Sequence, residues 1–423
     1  MVLLSVATAL YLRRLGRRKA IRLLLVVFVL FNLFDVMRIH HNLAREREYV
    51  PRKSGGRPGE RERVYIAGMH FNNGAILKSH WNAAVLELTE LFGPDNVFVS
   101  VYESGSWDDT KEVLRDLGRQ LESRGVPHRV DISDVTHADE IRAAGEGGSG
   151  EEGWIETARA KRELRRIPYL AKLRNKTLQD LFDLYKKGVT FDKILFLNDV
   201  VFTTDDVITL MDTNDGAYGA ACSLDFSKPP LYYDTFALRD AEGSAHIMQT
   251  WPYFKARASR SPLVNNHDAV PVTSCWNGIV VMPADPFVSP TKLRFRGIPD
   301  SLAGHHLEGS ECCLIHADNP LSRTLGVFLN PRVRVGYNLP AYEATHPGAA
   351  AGTSASWVRA VDIFLGLWIN RLRRWTSVVS LERWVVRKRV AAWQKEDMAR
   401  HEPGVFCLIN EMQVLAENGW AHV

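Results

Sequence analysis

The sequence has 423 residues, a length that suits two or three domains or one large domain with appendages. Its hydrophobic fraction of 46% is ordinary for a globular protein. The net charge is only +4, and many of the basic residues are concentrated near the N-terminus. The remainder of the chain is close to neutral. This argues against nucleic-acid binding, which needs a basic face on the folded body.

A basic run near the N-terminus precedes a strongly apolar segment, residues 23–34. The basic residues are Arg13, Arg14, Arg17, Arg18, Lys19 and Arg22. Extended to residues 20–37, the segment approaches the ~20 residues that cross a bilayer. The positive-inside rule then places the N-terminus in the cytosol and the rest in the lumen, although Arg38 and Arg45 follow the segment. Because no small-x-small cleavage site follows, we favour a single-pass signal anchor over a cleavable signal peptide.

The region after the anchor is charged and contains Pro and Gly without an apolar period. We therefore divide the N-terminal part into a cytosolic tail and anchor, residues 1–39, and a flexible stem, residues 40–62.

The chain contains five cysteines, whose spacing fits no zinc site. In a luminal compartment they would form one or two disulfides and leave at least one further thiol. The sequence leaves the pairing open.

Apolar runs alternate with helical patterns in the first half of the body. The runs at residues 64–69, 97–102 and 127–132 predict strands. Helices are predicted between them, one starting at Ser79 and one at Asp108 or Asp109. Such alternation is typical of a parallel, doubly wound sheet, so the predicted fold class is α/β.

The most informative stretch is residues 192–202, Asp-Lys-Ile-Leu-Phe-Leu-Asn-Asp-Val-Val-Phe. It predicts a strand buried on both faces that ends on two polar residues, Asn198 and Asp199. Ligands of open α/β sheets bind beyond the carboxyl ends of the strands. Oxygen ligands there suit Mg²⁺ or Mn²⁺, so we predict a metal site. The alternative is an ordinary strand-to-helix turn in which the aspartate is a local cap.

The predicted donor-binding residues are Arg174, Asn175, Asp225 and Asp234. The first two lie on the helix before that strand, and the two aspartates follow the next strand. Arginine offers a planar fork that matches diphosphate oxygens, although a surface salt bridge is the alternative role. Together with a metal on Asp199, Arg174 would offset the charge on a nucleoside diphosphate leaving group. Glycosyl transfer from a nucleotide sugar requires that effect.

Three consecutive residues, Trp276, Asn277 and Gly278, are predicted to line the acceptor side. The indole would stack on a sugar face and the amide would bond its hydroxyls, whereas the alternative is a buried core tryptophan. Glu311 is a candidate base or electrostatic stabiliser, and its alternative role is a first-turn acid favoured by the helix dipole. His316 is a candidate additional metal ligand or a structural histidine.

The catalytic assignments are therefore Asp199, Asp225 and Glu311, and the metal ligands are Asn198, Asp199 and His316. After an Ala/Gly/Ser linker, residues 346–356, the tail carries tryptophans interleaved with basic residues. A basic, Trp-rich amphipathic helix can lie in a membrane interface, and the alternative is a helical extension packed on the body.

Several motifs occur in a set order. They are Arg-Val-Tyr-Ile-Ala at 63–67, Leu-Arg-Asn at 173–175, the stretch ending in Asn198-Asp199, Ala-Cys-Ser-Leu-Asp-Phe at 221–226, Tyr-Tyr-Asp-Thr-Phe-Ala-Leu-Arg-Asp at 232–240, Cys-Trp-Asn-Gly-Ile at 275–279 and Ser-Glu-Cys-Cys-Leu at 310–314. In this order the chain resembles the fungal α-1,3-mannosyltransferase family of capsule and cell-surface glycan synthesis, glycosyltransferase family 69.

The resemblance implies a Golgi-type, single-pass type II enzyme with a GT-A-like domain, assigned to residues 63–345, and a helical extension from 346 to 423. It implies transfer from GDP-mannose to a mannoside or glycan acceptor, with retention of configuration and with Mn²⁺ or Mg²⁺. Asn198-Asp199 takes the place of the Asp-x-Asp signature, with Asn in the first position. A UDP-sugar donor and a non-catalytic accessory subunit of a polysaccharide-synthesising complex remain alternatives.

Overall fold

The computed structural model describes residues 2–45, 62–143, 152–157, 159–348, 355–376 and 379–423. Most of the predicted stem and the middle of the predicted linker lie outside the described residues.

The described strands number sixteen. They are β1 (Val64–His70), β2 (Val97–Glu103), β3 (His128–Ile132), β4 (Trp154–Glu156), β5 (Arg162–Leu164), β6 (Lys193–Leu197), β7 (Ala220–Lys228), β8 (Leu231–Tyr232), β9 (Arg239–Asp240), β10 (Val270–Ser274), β11 (Ile279–Pro283), β12 (Glu308–Gly309), β13 (Val327–Gly336), β14 (Leu408–Ile409), β15 (Gln413–Ala416) and β16 (Gly419–His422).

The described α-helices also number sixteen. They are α1 (Val2–Ala44), α2 (Gly74–Ile76), α3 (Asn82–Phe92), α4 (Thr110–Ser123), α5 (His137–Ala143), α6 (Arg166–Lys176), α7 (Gln179–Lys186), α8 (Thr204–Met211), α9 (Arg257–Val264), α10 (Asp285–Val288), α11 (Asp300–Ala303), α12 (Glu311–Asp318), α13 (Pro320–Thr324), α14 (Leu339–Thr345), α15 (Ala360–Thr376) and α16 (Val379–Glu396).

Ten of the strands form one sheet in the order β3-β2-β1-β6-β11-β7-β13-β10-β9, with β8 paired to β7. The first four are parallel, whereas β11 is antiparallel to both of its neighbours. The α/β, GT-A-like fold class expected from the sequence is confirmed, but the sheet is mixed. The antiparallel β11 brings the loop before it to the edge where β6 ends.

Strand β6 shows why the sheet can be buried on both faces. Ile194 and Phe196 belong to one apolar layer, and Leu195 and Leu197 belong to the other, because successive side chains of a strand point to opposite faces. Helices α1, α7 and α15 contribute to the first layer, and α3, α4 and α8 contribute to the second. The continuous apolar run in the sequence is explained by this double burial.

The helix after β1 begins earlier than the sequence indicates. It starts at Gly74 and passes through a π-helical turn, Leu77–Trp81, into α3. The predicted start at Ser79 is wrong, because its hydroxyl lies inside the helix and donates to the Ala75 carbonyl at 2.8 Å. The predicted start of α4 at Asp108 or Asp109 is confirmed within two residues, since the helix begins at Thr110 and Asp108 Oδ1 accepts from the Thr110 amide at 3.0 Å.

The N-terminal apolar helix continues past its predicted end and packs on the body. Its segment Lys19–Ala44 is long and apolar enough to cross a membrane, and most of it is exposed. Its last turns are different, because Val36, Ile39 and Leu43 are buried in the first apolar layer. The predicted stem therefore begins with helix rather than with flexible chain.

The C-terminal extension is helical only as far as Glu396. Beyond it, β14 pairs with β12, and β15 and β16 form an antiparallel hairpin. Two disulfides, Cys222–Cys275 and Cys313–Cys407, are formed, and Cys312 is a buried free thiol. The second disulfide joins α12 to the segment that leads into the hairpin.

Candidate functional site: an acidic cleft at the end of β6

The end of β6 is fixed by contacts from three directions. The Asn198 amide donates to the Gly278 carbonyl at 3.0 Å, and the Trp81 indole donates to the Asn198 carbonyl at 3.0 Å. Trp276 Nε1 lies 3.4 Å from Asn198 Oδ1. The next residue, Asp199, is thereby held at the mouth of the strand, as the sequence predicts.

Asp199 is held by the turn that follows β1. Strands β1 and β6 are parallel, with Gly68 opposite Leu197, so both run out at the same edge. In the turn beyond β1, Asn73 Nδ2 donates to Asp199 Oδ2 at 2.8 Å. Burial raises the pKa of the Asp199 carboxyl to about 6, against the lowering effects of the Asn73 hydrogen bond and of Arg174. A carboxylate with so little compensation is a candidate cation ligand.

A second acidic pair consists of Asp225, which lies within β7, and Asp234, which follows β8. Asp225 Oδ1 accepts from the Asp234 amide at 3.1 Å and from Asn277 Nδ2 at 3.0 Å, and Tyr337 donates to Asp225 Oδ2 at 3.2 Å. Burial raises the pKa of Asp225, and the neighbouring Asp234 raises it further. Burial also raises the pKa of Asp234. The two aspartates therefore share a site that favours a neutralising cation.

Arg174 joins this acidic cluster from α6. Its Nε donates to Glu311 Oε1 at 2.9 Å, and the guanidinium carbon lies 4.9 Å from the centre of the Trp276 ring. It also interacts electrostatically with Asp199 and Asp234. The predicted alternative of a surface salt bridge is excluded, because both members of the pair are largely buried.

A cleft of about 260 Å³ opens beside Asp199. Its lining comes from the turn after β1, from α6 and from the C-terminal hairpin, and includes His70, Asn73, Arg166, Tyr169, Leu415 and Trp420. The Arg166 guanidinium stacks over the Trp420 ring at 4.6 Å, and Arg166 Nη1 donates to Gln413 Oε1 at 2.7 Å. Larger cavities of about 540 and 450 Å³ lie elsewhere, but Asp199 lines neither of them.

The donor set fits a hard divalent cation. The carboxylates of Asp199, Asp234 and Glu311 each interact with the guanidinium of Arg174, and Asp225 lies against Asp234. In addition, the buried Asn277 Oδ1 has no hydrogen-bond partner among the described residues. Oxygen ligands with excess negative charge are what Mg²⁺ and Mn²⁺ prefer.

His316 is not part of this donor set. Its Nε2 forms a hydrogen bond with the Cys275 carbonyl at 2.7 Å. A ring nitrogen of His316 and the sulfurs of Cys222 and Cys275 lie within 4.8 Å of one another. Those two sulfurs form a disulfide, so they offer no thiolate ligands. The environment of His316 corresponds to the structural role that the sequence left open.

Asn175 also takes a structural role. Its amide donates to the Phe295 carbonyl at 2.8 Å and accepts from the Phe295 amide at 3.0 Å. Both ends of the side chain are thus engaged by backbone, in contrast to the predicted donor contact.

The predicted acceptor residues lie beneath the cleft rather than on its surface. Trp276 and Asn277 are buried, the first under Arg174 and the second against Asp225. Gly278 has a φ of +86°, and a Cβ there would lie 2.4 Å from a Val335 methyl. These residues position the acidic cluster, so the alternative of a core tryptophan applies.

Sequence reasoning missed Asn73, His70, Trp81 and Tyr337. The turn after β1 carries the signal, because polar residues follow a strand that ends at the same edge as β6. His70 Nδ1 lies 3.3 Å from Asn73 Oδ1, and its ring packs edge-on against Trp81. The contact of Tyr337 with Asp225 joins residues 112 positions apart, and nothing local in the sequence announces it.

The chain matches a family model and one characterised relative. The family model described as Cryptococcal mannosyltransferase 1 matches residues 63–318. An α-1,3-mannosyltransferase, CMT1 of Cryptococcus neoformans, is 24% identical over 315 residues. That alignment covers 70% of this chain but only 61% of the relative's length.

Two solved structures are similar at low sequence identity. The mannosyltransferase PcManGT from Pyrobaculum calidifontis, in complex with GDP-Man and Mn²⁺, has a TM-score of 0.36 and 12% identity. The alignment covers 88% of this chain and 84% of that one. Staphylococcus aureus TarS has a TM-score of 0.33 and 10% identity, over 65% of this chain and 60% of that one.

The family model covers more than half of the chain and includes Asp199, Arg174, Asp225 and Glu311. The chain therefore belongs to the Cryptococcal mannosyltransferase 1 family.

Proposed function

We propose that this protein is a membrane-anchored, retaining α-1,3-mannosyltransferase. It moves mannose from GDP-mannose to a mannoside or glycan acceptor and uses a divalent metal, Mn²⁺ or Mg²⁺. It resides in the Golgi or another membrane of the secretory pathway, with the catalytic body on the luminal side. The family and the name of the Cryptococcus relative support mannose as the transferred sugar.

The observation that carries the proposal is the position of Asp199. Its carboxylate lines a cleft, its pKa is raised by burial, and Arg174 is close enough to influence that pKa. An acid at the end of a central strand beside an arginine is suited to a metal-bound diphosphate.

The carboxylate of Asp199 and the side-chain oxygen Oδ1 of Asn198 would hold the metal, with Asp225 close by. The bound ion would supply Lewis-acid stabilisation of the negative charge on the diphosphate leaving group. Asparagine in the first position lowers the charge of the site relative to two aspartates, but Asp225 and Asp234 supply additional acidic groups.

Arg174 is the residue that stabilises the leaving group directly. Within the described part of the chain its hydrogen bond to Glu311 uses Nε, which leaves the Nη groups for diphosphate oxygens. Its stacking on Trp276 fixes the plane of the guanidinium. In a same-face displacement, the acceptor oxygen attacks the anomeric carbon and its proton passes to the departing phosphate oxygen.

Two features support the membrane anchor and the luminal side. One is the exposed apolar helix segment Lys19–Ala44. The other is the presence of two disulfides, which persist in oxidising compartments.

A donor screen tests the proposal. The full chain in lipid nanodiscs is incubated with Mn²⁺, mannoside acceptors and GDP-mannose, GDP-fucose, UDP-glucose or UDP-galactose in turn. We expect transfer from GDP-mannose to exceed transfer from the other donors, with retention detected in the product's anomeric signals. Transfer from a UDP-sugar instead would overturn the donor assignment.

The competing hypothesis is a non-catalytic accessory subunit, which the asparagine at position 198 favours. Calorimetric titration with GDP-mannose separates the two. A catalytic donor site predicts binding heat that depends on Mn²⁺, and absence of that dependence would support the accessory role.

A further inference from the structure

Helix α15 has two opposite apolar faces. One face, formed by Ile363, Gly366 and Asn370, is buried against the body. At about 100° per residue, the side chains of Val361, Leu365, Trp368, Leu372 and Trp375 form a stripe on the other side, within a sector of about 80°. Four of them are exposed, and Trp375 has 85% of its surface free. A helix that faces water on one side usually carries polar residues on that side, so an apolar stripe there is typical of a surface that contacts another apolar phase.

The stripe lies beside the anchor helix. The Trp368 indole donates to Asn32 Oδ1 at 2.8 Å, and the Trp368 ring centre lies 5.4 Å from that of Phe28. Residues 28 and 32 fall inside the segment Lys19–Ala44 that is long and apolar enough to span a membrane. Any bilayer around α1 therefore reaches the level of α15.

The length of the exposed part of α1 also favours contact between the body and the bilayer. Among the described side chains, the large apolar ones of α1 are exposed from Ile21 to Phe34 and at Met37, whereas Val36, Ile39 and Leu43 pack on the body. About 14 residues of helix span only ~21 Å, against a hydrocarbon core of ~30 Å. Entry of the body into the bilayer by several ångströms at its junction with α1 would make up this difference, and the exposed stripe of α15 suits that position.

The surroundings of the stripe suit a membrane interface. Arg371 stacks over Trp368 at 4.5 Å, and on α16 Lys388 lies 5.4 Å from the ring centre of the exposed Trp384. Tryptophans with basic neighbours are typical of the boundary between headgroups and acyl chains. We take Arg38, the first basic residue after the apolar segment, as the level of the lipid headgroups. Asn32, which contacts α15, precedes Arg38 by about six residues, or ~9 Å along α1, and this matches the ~5–10 Å depth of an interfacial helix.

We propose that the outward stripe of α15, together with Trp384, lies in the headgroup boundary of the bilayer that α1 crosses. Lipid covers this surface. The catalytic body therefore contacts the membrane directly, in addition to its covalent connection to α1. The inference rests on the proposed anchor and is independent of the donor and acceptor.

Depth measurement by fluorescence quenching tests this inference. Trp375→Cys in the full chain is labelled with the fluorophore NBD and reconstituted in vesicles of phosphatidylcholine and phosphatidylserine that contain doxyl-labelled lipid. The exposure of Trp375 makes this substitution compatible with folding. Native cysteines do not compete for the label, because four form disulfides and Cys312 is buried.

Two labelled variants serve as controls. Phe31→Cys reports on the exposed anchor surface, and Leu91→Cys reports on α3, which covers the opposite face of the sheet. We expect position 375 to show at least half the quenching of position 31, and position 91 to show none.

The other outcomes separate an error in the docking inference from an error in the anchor or in the occupant. Quenching at 31 without quenching at 375 overturns the docking inference and leaves the anchor intact. Lack of quenching at all three positions means that the anchor itself is wrong. Quenching at 375 that disappears as the protein-to-lipid ratio rises would identify a second copy of the chain as the occupant and overturn the lipid assignment.

Discussion

At the scale of single residues, Asp199 combines a functional position with a cost to folding. Its ionised form is disfavoured by burial, so its pKa in the folded protein, about 6, lies above the value of 3.8 for a free carboxyl. The folded state therefore holds the proton more tightly than the unfolded state, and the free energy of unfolding falls as the pH rises from about 4 to about 6. Such a group is kept by function rather than by stability.

Removal of the charge should then stabilise the metal-free protein. Asp199→Asn keeps the shape of the side chain, so we expect a higher melting temperature than wild type at pH 7.5 with a chelator present. The difference should vanish near pH 4, where the wild-type carboxyl is protonated. Thermal unfolding followed by circular dichroism at both pH values measures it, and equal melting temperatures at pH 7.5 would argue against a strained carboxylate.

Asn73 should matter through Asp199. Asn73→Ala removes the amide that fixes Asp199 Oδ2, and loss of such an orienting partner typically weakens metal binding by ~10- to 100-fold. Titration of turnover with Mn²⁺ gives the change as a shift of the half-saturating concentration. Asn96→Ala, which removes a half-buried amide that donates to the Phe92 carbonyl just before β2, is the matched control and should leave the half-saturating concentration unchanged. An unshifted Mn²⁺ requirement in Asn73→Ala would remove Asn73 from the site.

At the scale of elements, the turn before β11 aligns the two halves of the site. Gly278 accepts from the Asn198 amide on one side, and its missing Cβ leaves room for Val335 and Asp225 on the other. A side chain there would push β11 away from β7 and β13. The turn was predicted as an acceptor contact, whereas its role is to hold the acids.

Gly278→Ala should therefore cost stability by two routes, backbone strain and overlap. The added methyl group meets a Val335 carbon at 2.4 Å, so we expect a loss of ~2–4 kcal/mol in the free energy of unfolding. Gly125→Ala is the control, because its φ is +67° but a Cβ there meets nothing within 4 Å. Its cost should be limited to the strain, ~1 kcal/mol. Chemical denaturation of both variants gives the comparison, and equal losses would mean that close packing at Gly278 is unimportant.

The C-terminal hairpin forms one wall of the cleft, and Trp420 is its main contact. Trp420→Ala removes the stacking with Arg166, so the hairpin should close the donor site less well. We expect the KM for the donor to rise several-fold with a smaller change in kcat. Steady-state kinetics at saturating metal measures this, with Trp384→Ala on exposed α16 as the control. A KM equal to wild type would show that the hairpin wall does not contact the donor.

Local patterns in the sequence predict the parts of this fold that are locally determined. The apolar run of β6 and the start of α4 depend on neighbouring residues, and the sequence predicts the beginning of each within two positions. The antiparallel β11 and the hairpin over the cleft depend on pairing between distant segments. Periodicity carries no information about such pairings.

The same distinction holds within the site. Asp199 and Arg174 stand out because a carboxylate and an arginine interrupt or flank an apolar strand. The burial of Trp276 and Asn277 could not be predicted, because a polar-aromatic loop has the same composition whether it lies on a surface or beneath one. Likewise, the sequence does not distinguish a metal ligand from a structural histidine at position 316, because the hydrogen bond of His316 with the Cys275 carbonyl joins distant segments.

At the scale of the whole molecule, the last turns of helix α1 and the C-terminal extension pack on the body. The last turns of α1 lie in the same apolar layer as α15 and the first face of the central sheet. The Cys313–Cys407 disulfide links the helix that begins at Glu311 to the segment that leads into the hairpin over the cleft. The N-terminal helix, the wall of the cleft and the acidic cluster are thus connected through packed elements.

The central claim is that the Asp199 carboxylate is required for metal-dependent glycosyl transfer. The most direct test compares Asp199→Asn with Asp205→Asn, an exposed acid six residues further along the chain, in turnover of GDP-mannose by the full chain with Mn²⁺. The account predicts a loss of at least ~100-fold for Asp199→Asn and near wild-type turnover for Asp205→Asn. Turnover by folded Asp199→Asn within a few-fold of wild type would contradict it.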